Sequence, residues 1–194
     1  MNLPYPLILA STSKYRSQLL AQLGWPFENV APGVDEEKVK ERMLEAFELA
    51  YTLGLMKAQA VFIRYPDACV IGSDQVCTLE GKIFGKPGSF QKACEQLAFM
   101  QGKTHELLTS VTVMNAQVTQ SFTNITRLSM RSLNHTEIES YVMADKPLDC
   151  AGSYMLEGRG IKLFEKIEMN DHTAIIGLPL VELTTTLLKL GYSF

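Results

Sequence analysis

Residues 7–20, LILASTSKYRSQLL, decide the fold class. Leu7–Ala10 is an apolar run with the length and texture of a buried strand. Hydroxyls follow at once, at Ser11, Thr12 and Ser13. Ser13 then reads as an N-cap, Lys14, Tyr15 and Arg16 open a helix, and Leu19, Leu20 and Leu23 form its apolar stripe, closed by Gly24. A strand that hands straight over to a capped helix is the opening of a β–α unit, and such units build sheets covered by helices.

The same reading extends along the chain. Trp25-Pro26-Phe27 starts an extended piece toward Val30. APGVDEE is a turn into helix from Glu36 to Ala50, and the helical pattern runs on to Tyr65, ahead of Pro66. ACVIGSDQVCTLEGKIFGKPGS reads as strand, turn and strand, with Gly81 in the hairpin. Ser89–Met100 is a helix ended by Gly102. Residues 104–133 alternate and are rich in Thr and Val, the pattern of a long hairpin. Asn134 caps a further helix. AGSYMLEGRGIKLFEKIEMN reads as glycine-broken extended chain, and TAIIGLPLVELTTTLLKLG as a strand, a turn at Gly177–Pro179 and a last helix. The expectation is an α/β fold in one domain over residues 1–194, with one large mixed sheet flanked by helices.

Composition narrows the function. The chain of 194 residues has a net charge of −3, which does not favour binding to a nucleic acid polymer. Its apolar runs are too short for a signal peptide or a membrane span, so a cytoplasmic protein is expected. Cys69, Cys77, Cys94 and Cys150 form no C-x-x-C pair and read as free thiols. His105, His135 and His172 are too scattered to ligate zinc, and a solvent-facing position is expected for His105. Trp25 is expected to pack in the core beside Phe27 or to offer an aromatic face.

Several stretches can carry chemistry. The join at Ser11–Arg16 suits an anion, because a helix start offers unpaired N–H groups and partial positive charge, and Arg16 adds a two-pronged grip. A plain capped surface helix would look the same. VIGSDQV delivers Gly72, Ser73 and Asp74 to an expected strand end, where Asp74 could hold a divalent cation, take a proton from water, or simply satisfy a turn. Asp35 and Glu36 either complement a helix dipole or join Asp74 around a metal. Lys57 lies in a largely apolar helix, where a lysine commonly snorkels, and Lys86 sits on a rigid Gly-Lys-Pro turn. Together these make a kit for metal-assisted attack on a polyphosphate.

LILASTSKYR, VDE, Lys57–Ala58, IGSDQV, GKP, AGSYMLEGRG and IIGLPLVEL resemble, in that order, the motifs of the Maf family, across nearly the whole chain. That resemblance implies an elongated fold like that of inosine triphosphatases, and hydrolysis of a nucleoside triphosphate to monophosphate and pyrophosphate. It also implies a divalent metal (Mg²⁺, Mn²⁺ or Co²⁺), a homodimer, and a house-cleaning role in nucleotide metabolism. By position, Asp74 matches the family's proposed base. Ser11, Arg16, Lys57 and Lys86 match its phosphate contacts, with Ser13 in the same hydroxyl cluster, and Lys57 and Lys86 are expected to assist catalysis. Asp35 and Glu36 match an acidic pair near the metal.

Tyr15, Gln75 and Glu157 resemble the branch that hydrolyses 7-methyl-GTP. The dTTP/UTP branch carries S-P-R-R in the first motif, Thr after the Asp, and Gln in the glycine-rich segment. Lys14 and Ser17 depart from the family pattern. Glu157 suits guanine because a carboxylate accepts from both N1–H and N2–H₂, and Tyr15 can face a cationic methylated base. The alternatives are a dTTP/UTP pyrophosphatase and a nucleotide-binding regulator of septum formation without turnover.

Overall fold

The structure, a computed structural model, describes residues 3–193. Its strands are β1 (Leu7–Leu9), β2 (Phe27–Asn29), β3 (Cys69–Leu79), β4 (Lys82–Phe84), β5 (Thr104–Met114), β6 (Thr119–Met130) and β7 (Phe164–Glu168). Its helices are α1 (Lys14–Ala21), α2 (Glu36–Lys40), α3 (Ala46–Phe62), α4 (Phe90–Met100), α5 (His135–Asp145), α6 (His172–Ile176) and α7 (Leu180–Lys189). The strands form one mixed sheet in the order β2-β1-β3-β5-β6-β7, with β4 paired to β3. No helix among the described residues is long and apolar enough to cross a membrane.

The chain divides into two compact units. The first contains the chain through Asp74, Thr109–Asn124, and the chain from Asp171 onward. Here β1 runs parallel to both β2 and β3, with Leu9 opposite Asn29 and Ile71. The opening stretch behaves as its pattern demands. Leu7 and Leu9 enter one apolar cluster with Leu19, Ile71, Val111 and Leu183, while Ile8 and Ala10 enter another with Ala58, Val61 and Val70. Alternate side chains of β1 therefore serve two cores, which explains a strand that is apolar at every position. Trp25 is 5% exposed, lies against Tyr192 and donates Nε1–H to the Ser193 carbonyl. It is core, with Phe27 packed against the same cluster.

The second unit comprises Gln75–Leu108 and Ile125–Asn170. Within it β3 and β4 form a hairpin whose two turn residues, Glu80 and Gly81, both have positive φ, the geometry of a tight primed turn. β6 pairs antiparallel with β7. Asn134 and Glu137 form a full capping box on α5.

Several readings are corrected. The helix expected from Glu36 is interrupted between α2 and α3, where Met43 is left-handed (φ 51°). Gly72–Asp74 lie inside β3 and not at its end, because β3 runs on to its hairpin with β4. AGSYMLEGRGIKL is mostly two short 3-10 turns, Ala151–Ser153 and Arg159–Leu163, with β7 only afterwards. A Cβ on Gly160 would strike the Met155 carbonyl, so the chain coils tightly there. TAII is helix α6, since Asp171 caps it and Gly177 ends it. Nor does His105 face solvent: it is 1% exposed, and its Nε2 lies 2.8 Å from the Tyr154 hydroxyl.

Candidate active site

The charged cluster of the first unit begins with a close approach. Gly72 on β3 faces α3 so tightly that a Cβ there would lie 2.5 Å from Ala58 N and nearer still to the Gly54 carbonyl oxygen. Gly54 faces Ser110 O and Asp74 N, where a Cβ would make ordinary contact at 3.4 and 3.7 Å. Gly72, set against the small Ala58, thus lets helix and strand backbones touch, and Lys57 comes down beside Asp74. Its Nζ donates to Asp74 Oδ1 at 2.6 Å and lies 2.7 Å from Glu36 Oε1. Lys57 is 6% exposed and Asp74 7%, so this lysine does not snorkel; it bridges two carboxylates in a largely dry setting.

The start of α1 supplies the second cation. Ser13 caps the helix by accepting from Arg16 N, and Ser11 Oγ accepts from Ser13 N. Arg16 is half-buried, and its Nε donates to the Gly177 carbonyl at 2.9 Å. Burial lowers the Arg16 pKa, while the negative charges of Asp74 and Glu36 raise it; those charges place the guanidinium in the same electrostatic neighbourhood. Arginine stays charged in either case. Ser73 Oγ donates to the same Gly177 carbonyl at 3.2 Å. Tyr15 is 47% exposed beside this helix start.

Asp35 is set apart. Its Oδ1 accepts from Lys38 N as the cap of α2, and its Oδ2 pairs with Lys38 at 3.5 Å. Among the described residues, no group of three or more His, Cys, Asp or Glu forms a metal site. The expected trio of Asp35, Glu36 and Asp74 therefore does not gather; Glu36 and Asp74 do, on Lys57. Mg²⁺ needs only one or two carboxylates when phosphate oxygens and water fill its other positions, and that pair meets the requirement.

Gln75, Lys86 and Glu157 belong to the second unit. Burial pushes the Cys150 thiol up to about 11, with Glu157 raising it and Lys86 lowering it, so both charges act on one neighbourhood. The Gly-Lys-Pro turn is tied there by Gly88 N donating to Leu148 O at 3.0 Å. Just after Glu157, the Arg159 backbone N–H donates to Asp145 Oδ2 at 2.6 Å.

A model of the Maf-like protein family matches residues 6–190. The chain belongs to the Maf-like family. The Maf-like relatives it resembles include a "7-methyl-GTP pyrophosphatase" of Bdellovibrio bacteriovorus, 49% identical over 177 residues, covering 91% of this chain and 93% of the relative. Proteins of the same name from Cupriavidus pinatubonensis and Aromatoleum aromaticum are 44% and 46% identical. The first match covers 98% of this chain and 96% of the relative, and the second 93% of each.

Sequence reasoning missed the roles of Gly177 and Asp171. The Asp-x-Thr spacing ahead of α6, an N-cap pattern, was the available signal.

Proposed function

We propose that this Maf-like chain is a nucleoside triphosphate pyrophosphatase that cuts 7-methyl-GTP to 7-methyl-GMP and pyrophosphate. The observation that carries the reading is the Glu36–Lys57–Asp74 cluster, with Lys57 and Asp74 buried, beside the Arg16 helix start. It combines a carboxylate able to take a proton with two cations able to hold a polyphosphate.

In this mechanism the helix start and Arg16 bind phosphate oxygens, and Lys57 holds Asp74 through Oδ1. The other oxygen, Oδ2, accepts a proton from the water that attacks the α-phosphorus. A divalent cation, when bound, would neutralise phosphate charge; Glu36 and Asp74 would hold it. Lys86 serves as a further phosphate contact. Tyr15, Gln75 and Glu157 select the base, Glu157 by accepting from the guanine edge. The reading includes a homodimer working in the cytoplasm, and the free state of all four cysteines fits a reducing compartment.

The test is a substrate panel. Pyrophosphate release from 7-methyl-GTP, GTP, UTP and dTTP would be measured with Mg²⁺, Mn²⁺ or Co²⁺, using the native chain and Asp74→Asn. The reading expects 7-methyl-GTP to lead, and Asp74→Asn to bind nucleotide without turnover. Preference for UTP or dTTP would reassign the substrate, and turnover surviving in Asp74→Asn would remove the base.

A further inference from the structure

Asp171 is a carboxylate at 4% exposure. Its Oδ1 accepts from Thr173 N at 2.8 Å and from Thr173 Oγ1 at 2.6 Å, and its Oδ2 accepts from Val181 N at 2.8 Å. Thr173 Oγ1 in turn accepts from Leu180 N at 2.8 Å. One Asp–Thr pair therefore caps two helices. This matters most for α7, whose own cap position is Pro179 and offers no side-chain hydrogen bond.

The segment between these caps is the Gly177–Pro179 turn. Gly177 has φ 123°, a region open to glycine, and its N–H donates to the carbonyls of Thr173 and Ala174 at 3.2 and 3.0 Å. The conformation fixed in this way aims the Gly177 carbonyl outward from the turn. That carbonyl accepts from Arg16 Nε and Ser73 Oγ, one donor from the start of α1 and one from the residue before Asp74. With Nε engaged, the terminal nitrogens of Arg16 are the ones a phosphate would take.

We infer that Asp171 and Thr173 are positioning residues, holding the Gly177 carbonyl so that Arg16 presents its terminal nitrogens to the polyphosphate. The inference rests on the proposed phosphate-binding role of Arg16. Neither side chain touches substrate; each acts through the turn.

A double-mutant cycle tests it on the full chain. Thr173→Val keeps the shape of the side chain and removes its hydroxyl. Dissociation constants for inorganic tripolyphosphate would be measured by calorimetry, alongside kcat and KM for 7-methyl-GTP. Thr173→Val should raise the dissociation constant and KM by about tenfold, the size of one weakened charged hydrogen bond, with a much smaller change in kcat. In an Arg16→Ala background the same change should add less than about twofold, because there is no guanidinium left to aim. Thr173→Ser, which keeps the hydroxyl, should recover tight binding.

Equal losses from Thr173→Val with and without Arg16 would overturn the inference and leave a structural cap. Should Thr173→Val fail to fold, Asp171→Asn takes its place in the cycle: a loss that needs Arg16 supports the positioning role, and a loss independent of Arg16 overturns it. A native chain that binds tripolyphosphate but cleaves no nucleotide would sink the proposed enzyme and leave the cycle readable. A chain that binds neither would end both.

Discussion

Replacing Gly72 by Ala tests how the charged cluster is assembled. The new Cβ would sit 2.5 Å from Ala58 N, where ordinary contact begins at 3.4 Å, so the backbones of α3 and β3 must part by about 0.9 Å. The obstructing atoms are mainly backbone and cannot swing aside as a long side chain would. Overpacking of this kind costs about 1–3 kcal/mol, and the backbone obstruction puts this site near the top of that range. For a chain of 194 residues, a loss of about 3 kcal/mol corresponds to a fall in Tm of about 6–12 °C. The same parting would stretch the 2.6 Å contact between Lys57 and Asp74 to about 3.5 Å, outside good hydrogen-bond geometry. Misplacement on that scale can cost about a hundredfold in turnover. Thermal unfolding and pyrophosphate-release kinetics would be measured together, with Gly85→Ala as a stability control, since nothing lies within 4 Å of a Cβ there. Native Tm and native turnover in Gly72→Ala would refute the idea that close approach builds the site.

Three further predictions concern single side chains. Lys57→Met leaves Glu36 and Asp74 without their shared cation; the loss should be about 3 kcal/mol, the low end for a broken buried pair, because the Glu36 side chain is 42% exposed. Chemical denaturation at neutral pH checks this, and an unchanged midpoint would speak against the bridge. Glu157→Gln should shift the preference for 7-methyl-GTP over UTP by about 1–3 kcal/mol, read as the ratio of kcat/KM values. His105 has its pKa lowered by burial to about 4, against about 6.5 in an unfolded chain. The unfolded state therefore takes up the proton first, so stability falls as pH drops from about 6.5 to 4, by about 3 kcal/mol, and this contribution changes no further below that. Urea titrations at several pH values should show that component in the native chain and not in His105→Phe; identical pH slopes would count against it.

Local chemistry made much of this protein readable from its residues. The strand-to-helix join at residues 7–20, the Ser13 and Asn134 caps and the Gly81 hairpin all depend on neighbours in sequence, and each formed as read. Ser11, Arg16, Lys57 and Asp74 were legible as chemically apt residues for the same reason. Reading failed where a short local cap signal was passed over and where a distant segment decides. TAII has strand-like composition, but Asp171 and Gly177 close it into a turn of helix. His105 seemed suited to water until Tyr154 gave its ring a buried partner.

Sequence alone thus determined which residue types were available and where many of the strands, helices and caps would start, because those preferences act over a few residues. Only the tertiary structure decided that Lys57 would bridge Glu36 and Asp74 and that Gly177 would meet Arg16. Such pairings join segments far apart in the chain. The Lys57–Asp74 contact depends on how closely two backbones can approach, and that distance is set by the missing side chain of Gly72.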